Sequence, residues 1–438
     1  MKDAAAQLSP YFRALVAGTT TRWRGRVVKA IGHLVESEGP SAALGESCEI
    51  VSSDGVAHEA EIVGFRGSTV LSMPLGSPDN FRYGDTIASW GAKPNFRVGA
   101  GLLGRVIDAN GHCIDSGPEY SALGRWPLRH AGPPPLDREP ITEPLGCGIR
   151  AIDAFLTCGR GQRLGIFGGS GVGKSTLIGM MARGSAADLT VLALVGERGR
   201  EVRDFLENAI GEEGRRRSVV IVSTSEQSPL LRIRAALAAT AIAEYFAANG
   251  KNVLLVVDSL TRLAMAQREI SLSAGEPPTS KGYTPSVFTM LAQLIERAGR
   301  FKEGSITAFY SVLMEGDDQQ DPIVDATRSL LDGHIVLDRR LSAENHYPPI
   351  SILDSLSRLM PSVCSKEHLA KAKRLRALLA AYAASEDLVR VGAYQKGLDA
   401  VLDRAITHLP AMKAFLSQRP DEKADLKSNI AALLALGD

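Results

Sequence analysis

Nearly uninterrupted apolar runs alternate with helical patterns between residue 150 and about residue 360. The runs lie at 189–195, 218–222, 253–257, 305–310 and 333–337. A strand that is apolar at almost every position is buried on both faces, which is typical of a parallel sheet covered by helices. The pattern therefore predicts an α/β fold for the central part of the chain.

The patterns on either side of this region are different. Between about residues 22 and 92, short apolar runs are broken by glycines and polar turns, which favours a small antiparallel β-barrel or sandwich. After residue 365, apolar residues such as Leu375 and Leu378 recur at helical spacing. A proline-rich stretch at 132–140 is expected to run extended over a surface, because proline fixes φ and lacks a backbone donor.

These changes of pattern divide the chain into four parts. The predicted parts are a leader at 1–21, a β-barrel domain at 22–95, an α/β domain at 96–362 and a helical domain at 363–438. In the leader, Ser9 and Pro10 predict a helix of about two turns that ends at Gly18. A frayed terminus and a docking segment for a partner are both open interpretations of this leader.

Composition narrows the class of protein. The formal net charge of the 438 residues is +1 and aromatic residues make up 5%, which argues against a nucleic-acid-binding surface. The five cysteines are scattered without metal-ligand spacing, so reduced thiols in the cytosol are expected. Neither a signal-peptide core nor an apolar stretch of about 20 residues is found, so any membrane contact is expected to run through partners.

A phosphate-binding motif is the most specific feature of the chain. Residues 168–175 match G-x-x-x-x-G-K-[ST], between a predicted strand at 162–167 and a predicted helix from Thr176 onward. The glycines let backbone amides surround phosphate oxygens, while Lys174 is expected to reach the outer phosphates and Ser175 to bind Mg²⁺. The predicted nucleotide-binding residues are Gly168, Gly169, Ser170, Gly171, Val172, Gly173, Lys174, Ser175 and Thr176.

Two acidic residues follow buried strands of the same region. Asp258 ends the run at 253–257 and is the candidate second residue of the magnesium site, with a helix cap as the alternative. Glu197 follows the run at 189–195 and is the candidate for positioning an attacking water molecule. For Glu197 the alternative is a solvated charged turn.

Three arginines and one tyrosine complete the candidate site. Arg262 and Arg198 are expected to face the phosphates, and Arg198 could instead pair with Glu197. Arg358 is a candidate arginine finger for a neighbouring subunit. Each single arginine could also be an ordinary surface residue. Tyr347 is a candidate for stacking on adenine, with a plain core position as the alternative.

Taken in order, these motifs resemble those of the ATPases of type III protein export, above all the flagellar export ATPase. These enzymes are relatives of the catalytic β subunit of the rotary ATP synthase. The matching motifs lie at 103–108, 134–138, 168–176, 196–201, 258–262, 275–283, 354–358 and 392–397. The resemblance implies a small N-terminal β-barrel, a RecA-like P-loop core and a C-terminal helical domain.

The resemblance also implies the roles of individual residues, with ATP and Mg²⁺ as the bound groups. It assigns Glu197 to the attacking water and Arg358 to a site on the neighbouring chain. It assigns Lys174 and Ser175 to phosphate and magnesium, and Asp258 to the second magnesium position. Arg198 and Arg262 would face the phosphates, and Tyr347 would stack on adenine.

The partners that the resemblance implies belong to the export apparatus. They are a homohexamer, a membrane-tethered regulator that contacts the leader, a central coiled-coil stalk against the acidic loop at 315–321, an export gate and chaperone–substrate complexes. The expected location is the cytoplasmic face of the inner membrane.

Alternative functions stay open at this point. Within the family, the runs at 392–397 and 196–202 favour the flagellar system over the virulence injectisome. A ring-shaped RNA translocase resembling the termination factor Rho would share the core but need a basic, aromatic N-terminal domain. A nucleotide-binding subunit without turnover is the third possibility, against which Glu197 and Arg358 argue.

Overall fold

The computed structural model describes residues 22–77, 80–314 and 321–437. The leader at 1–21 and residues 315–320 of the acidic loop at 315–321 lie outside the described residues, and so do the expectations made for them. Among the described helices, none is long and apolar enough to cross a membrane.

The N-terminal part is a closed six-stranded antiparallel barrel with the strand order 1-2-5-4-3-6. Its strands are β1 Trp23–Ile31, β2 Leu34–Glu38, β3 Ser47–Val51, β4 Ala57–Arg66, β5 Thr69–Pro74 and β6 Thr86–Ser89. The buried side chains of Val27, Val35, Ile50, Ile62 and Ile87 fill the barrel. Of the barrel and the sandwich that the short apolar runs allowed, the structure shows the barrel, as the family resemblance implied.

A two-stranded antiparallel sheet and a connector join the barrel to the next part of the chain. This small sheet pairs β7 Asn95–Val98 with β9 Gly124–Pro127, and between them in sequence β8 Val106–Asp108 joins the central sheet. The proline-rich connector contains only one short 3₁₀ turn, at Pro135–Asp137, which agrees with the extended path that was predicted.

The central sheet has the strand order 19-18-12-17-15-13-14-8, with β16 added beside β17. Its strands are parallel except β16 and β19, and the small pair β10–β11 lies apart. The bounds are β10 Pro144–Leu145, β11 Cys158–Gly159, β12 Arg163–Gly168, β13 Leu189–Glu197, β14 Ser218–Thr224, β15 Asn252–Asp258, β16 Gly299–Arg300, β17 Ser305–Leu313, β18 Gly333–Leu337 and β19 Ile350–Ser357. All five predicted strands are present, and four of them extend past the predicted carboxyl end.

Helices cover both faces of this sheet and form the C-terminal part of the chain. The helices of the central part are α1 Arg150–Phe155, α2 Lys174–Gly184, α3 Gly199–Asp204, α4 Gly211–Arg216, α5 Pro229–Ala248, α6 Leu260–Ala274, α7 Pro285–Ile295, α8 Pro322–Leu330, α9 Arg339–Ala343 and α10 Met360–Val363. The C-terminal helices are α11 Lys366–Arg390, α12 Ala400–Leu416 and α13 Leu426–Ala435. The predicted apolar face of α11 is real, because Leu375 and Leu378 are buried.

Candidate nucleotide-binding and catalytic site

The phosphate-binding motif forms the loop between β12 and α2. Gly171 has φ of 78° and Gly173 has φ of 109°, so both lie in the left-handed region that residues with a side chain avoid. Between these two glycines the side chain of Val172 is buried, which anchors the loop on the core. Helix α2 then begins at Lys174, so its free backbone N–H groups and positive dipole end face the loop.

The acidic candidates meet this loop because parallel strands place their carboxyl ends at one edge of the sheet. Strands β12, β17, β15 and β13 are consecutive neighbours in the sheet. Gly168, Asp258 and Glu197 are the last residues of β12, β15 and β13. A cleft of about 580 Å³ lies at this edge, and its lining includes Gly169, Lys174, Ser175, Glu197, Asp258 and Arg262.

Lys174 and Asp258 form an ion pair inside the cleft. The Lys174 Nζ lies 2.7 Å from the Asp258 Oδ1, and the side chains are 11% and 5% exposed. The hydroxyl of Ser311 donates a 2.6 Å hydrogen bond to the same carboxylate oxygen. The helix after β15 is capped by Ser259, whose hydroxyl accepts from the Arg262 N–H, so Asp258 is not a helix cap.

The same residues provide oxygen ligands of the kind that Mg²⁺ prefers. Ser175 lies in the first turn of α2 with its side chain exposed, and the Asp258 carboxylate lies at the same cleft. Among the described residues no group of three or more His, Cys, Asp or Glu side chains could hold a metal. A magnesium ion here would take its other ligands from phosphate and water, as is usual at nucleotide sites.

Glu197 is held in the cleft by its neighbours. Gly196 has φ of 67°, and the pairing of β13 with β14 shifts register at this point. The Arg262 Nη2 lies 3.2 Å from the Glu197 Oε2, and its Nη1 donates to the Gly196 carbonyl. Burial, and then the negative charge of Asp258, raise the pKa of Glu197 to about 7. A carboxylate of this basicity suits proton transfer near neutral pH.

Arg198 occupies a different position from Arg262. Its side chain is 71% exposed and its Nη1 lies 3.1 Å from the Glu201 Oε1, on helix α3. The ion pair with Glu197 that was considered for Arg198 is therefore formed by Arg262 instead. The structure brings Arg262 into the cleft lining and leaves Arg198 pointing to solvent.

Tyr347 lies beside the phosphate loop. A Cβ atom placed on Gly173 would come within 3.7 Å of the Tyr347 Cε1. The tyrosine is 39% exposed, and its hydroxyl is 3.0 Å from the Ser342 hydroxyl. Its ring is thus close to the phosphate loop and still has an exposed surface, which a plain core residue would lack.

Arg358 lies at the opposite edge of the sheet. Its backbone N–H donates to the Asp332 carbonyl at 2.9 Å, and the Asp332 carboxylate accepts from the backbone N–H of Arg163. Arg163 is the first residue of β12, whereas the phosphate loop follows Gly168 at the other end. Strand β12 has six residues, so Arg163 at its start and Gly168 at its end are roughly 17 Å apart. Arg358 is exposed and is not among the residues that line the cleft of its own chain.

Some residues that line the cleft or contact its side chains were not expected from the sequence. Ser311 is a polar residue within the buried strand β17, and that interruption of an apolar run is a signal that could have indicated it. Arg183 and Pro420 also line the cleft, and the Arg183 Nη2 donates to the Pro420 carbonyl at 2.7 Å. No local pattern connects these two residues, because they are 237 positions apart.

A strand, a glycine-rich phosphate loop and a helix, with acidic residues at neighbouring strand ends, define a P-loop nucleotide hydrolase. Comparison with protein families agrees with this class. Residues 148–357 match the nucleotide-binding domain of the ATP synthase alpha/beta family, and residues 364–435 match the C-terminal domain of the type III secretion ATPase EscN.

Relatives define the branch of the family. The flagellum-specific ATP synthase of Bacillus subtilis is 49% identical over 94% of each chain. A type 3 secretion system ATPase of Sinorhizobium fredii is 46% identical over 93% of this chain and 90% of the relative. The chain belongs to the family of flagellum-specific ATP synthases and type III secretion ATPases, and it is an ATPase.

A solved structure agrees in fold over nearly the whole chain. It is the assembled ATPase EscN in complex with its central stalk EscO, from the type III secretion system of enteropathogenic E. coli. The match has a TM-score of 0.87 at 40% identity, and it covers 94% of this chain and 99% of EscN.

Proposed function

We propose that this ATPase hydrolyses Mg-ATP to energise protein export through the flagellar type III system. The observation that carries the proposal is the position of Glu197 at the carboxyl edge of the sheet, in one cleft with the Lys174–Asp258 pair. A binding module needs the phosphate loop alone, whereas hydrolysis also needs a positioned acceptor for the proton of water. The test is steady-state ATP hydrolysis by the purified chain at increasing protein concentration.

Each side chain then has a role that its position allows. The loop amides and Lys174 bind the phosphates, and Ser175 with Asp258 would hold Mg²⁺, which supplies charge neutralisation when bound. Glu197 accepts the proton of the attacking water, and Arg262 fixes the orientation of Glu197 through their 3.2 Å contact. Tyr347 would stack on the adenine ring, since its ring adjoins the phosphate loop.

The position of Arg358 favours a ring in which neighbouring chains complete each other's sites. Arg358 adjoins the start of β12, about one strand length (roughly 17 Å) from the end that carries the phosphate loop, so it would serve the phosphates of an adjacent chain and not those of its own. EscN, which shares the fold, is described as assembled and as bound to a central stalk. We infer a homohexamer around a coiled-coil stalk for this chain, with Arg358 supplied in trans.

Mixing two inactive variants tests this arrangement. Arg358→Ala is expected to lose nearly all turnover, because an arginine finger contributes about 10³–10⁵-fold in rate. Glu197→Gln is expected to lose nearly all turnover because it lacks the general base, which contributes about 10²–10⁴-fold. Mixed rings are expected to regain activity, since an Arg358→Ala site can receive an intact arginine from a Glu197→Gln neighbour. Hydrolysis by each variant and by the mixture is the measurement. A mixture as inactive as its components would contradict supply in trans, and so would a dilute monomer with full activity.

The raised pKa of Glu197 predicts how activity depends on pH. Because the carboxylate must be unprotonated to accept a proton, kcat/KM should fall as the pH decreases through about 7 and approach a tenfold loss per pH unit below it. Above pH 7 the deprotonated form prevails and the dependence should level off. The pH profile of kcat/KM for ATP checks this, with residual turnover of Glu197→Gln as the control that lacks the step. A profile that is flat from pH 5.5 to 8 would contradict the assignment.

The remaining partners and the location belong to the same proposal. A membrane-tethered regulator, an export gate and chaperone–substrate complexes would place the ring at the cytoplasmic face of the inner membrane.

Gene deletion in the bacterium that encodes the chain distinguishes the flagellar system from the injectisome. Deletion of its gene is expected to stop flagellar assembly and motility, and loss of protein injection with normal motility would support the injectisome alternative. The two relatives described above are a flagellum-specific ATP synthase and a type 3 secretion system ATPase, and neither name supports the RNA-translocase alternative.

A further inference from the structure

The segment between the last two helices reaches the nucleotide cleft. We name residues 417–422 the strap. It follows α12, which ends at Leu416, and precedes α13, which begins at Leu426. Pro420 in its middle lines the cleft, and its carbonyl accepts the hydrogen bond from Arg183. The C-terminal helices are thus joined to the site through this segment.

Gln418 is the most connected residue of the strap. It is 3% exposed, and its Oε1 accepts from the Arg150 backbone N–H at 2.8 Å. Its Nε2 donates to the carbonyls of Gly148 at 2.9 Å and Glu422 at 3.1 Å. Its backbone N–H donates to the Tyr347 carbonyl at 2.7 Å. The amide side chain therefore fixes the strap on the central domain at the point where its backbone holds the tyrosine.

A second set of contacts keeps the strap and the tyrosine turn together. The Ser417 hydroxyl lies 3.1 Å from the Nδ1 of His346, the residue before Tyr347. The Arg150 Nη1 lies 2.6 Å from the Glu422 Oε1 at the other end of the strap. The strap is thereby attached to the tyrosine turn at one end and to the start of α1 at the other.

We propose that Gln418 is a positioning residue for ATP binding, through which the C-terminal helices set the affinity of the nucleotide site. The inference rests on the proposed role of Tyr347 at the adenine. Since the strap continues directly from α12, a tilt of α12 pulls on the Gln418 contacts and displaces the Tyr347 carbonyl. None of the hydrogen bonds described for Gln418 goes to the phosphate loop, Glu197 or Asp258, so its replacement should act mainly on ATP binding and little on chemistry at the phosphates. A partner that binds the C-terminal helices would therefore change ATP affinity more than the rate of hydrolysis.

The replacement Gln418→Glu tests the proposal in the full-length chain. Glutamate keeps the size and the acceptor for Arg150, but it loses both Nε2 hydrogen bonds and turns an oxygen toward two carbonyls. We expect KM for ATP to rise about tenfold, as for one or two lost buried hydrogen bonds, with kcat within about twofold of the unchanged chain. Gln293→Glu, the same replacement at an exposed position of α7, is the matched control and should change neither value.

A double replacement separates positioning from a general structural effect. Tyr347→Ala should itself raise KM, and Gln418→Glu should add little on that background, because both act on the same contact with ATP. Gln418→Met, which removes the hydrogen bonds without adding charge, serves if the glutamate variant does not fold. Thermal unfolding of each variant is measured alongside the kinetics.

The outcomes are distinct. An unchanged KM in a folded Gln418 variant would overturn the proposal, and so would a parallel loss of kcat or additive effects with Tyr347→Ala. A different variant tests the proposed ATPase site. Normal turnover in Lys174→Ala would contradict that site, independently of the results with the Gln418 variants.

Discussion

Replacing Lys174 by alanine is expected to abolish ATP turnover. The ammonium group lies in the first turn of α2, next to the phosphate loop, and no other lysine lines the cleft among the described residues. A positioned charge on the transferring phosphoryl group acts where charge develops, and removal of one such donor costs about 10²–10³-fold or more in kcat. Steady-state hydrolysis and Mg-ATP binding by the Lys174→Ala chain are the measurements.

The ion pair of Lys174 requires a control for folding. Without the lysine, the largely buried Asp258 keeps only the Ser311 hydroxyl as its described hydrogen-bond donor, and breaking a buried pair typically costs about 3–5 kcal/mol. Thermal unfolding must therefore accompany the kinetics, and Lys373→Ala on the exposed face of α11 is the matched control. Near-normal hydrolysis by a folded Lys174→Ala chain would contradict the assignment of the phosphate site to this cleft.

The second large effect is expected for Glu197→Gln. Glutamine has the same shape and keeps a hydrogen bond to Arg262, but it cannot accept the proton of water. We expect Mg-ATP to bind with nearly unchanged affinity while kcat falls about 10²–10⁴-fold, the range for a lost general base. Single-turnover hydrolysis with an independent binding measurement separates the two quantities.

Glu207→Gln provides the comparison for this variant. Glu207 is on the surface, 57% exposed, and is paired with Arg203, so its replacement should leave both binding and kcat unchanged. Full turnover in Glu197→Gln would move the base to another residue. Lost binding together with lost turnover would show that Glu197 is needed to form the site and is more than a proton acceptor.

Local patterns were enough to predict the central fold and to bring the main candidate residues to one cleft. The apolar runs correspond to strands because a strand that is buried on both faces needs apolar residues at almost every position. Asp258 and Glu197 could be predicted because each ends such a run, and parallel strands bring these ends to one edge. The phosphate loop could be predicted because its backbone conformation requires glycine at Gly171 and Gly173.

Contacts between distant parts of the chain could not be predicted in the same way. Arg198 is next to Glu197 in the sequence, but Glu197 pairs with Arg262, which is 65 positions away. Arg198 instead pairs with Glu201 on helix α3. Gln418 lies 270 positions from Gly148, and nothing in the residues around either one indicates their hydrogen bond. Pairings of this kind depend on how distant parts of the chain pack against each other. The periodicity of apolar residues within one segment carries no information about that packing.

The separation of Arg358 from the phosphate loop gives the proposed assembly a direction. A chain that receives an arginine at one edge of its sheet and offers one at the other contacts its two neighbours through different surfaces. Such head-to-tail contacts cannot form a symmetric dimer with both sites complete, and they close only as a ring. In the proposed ring, each chain then has one neighbour that supplies its arginine and one that receives its own. The two ends of a single six-residue strand would thus make the two neighbours of every site inequivalent.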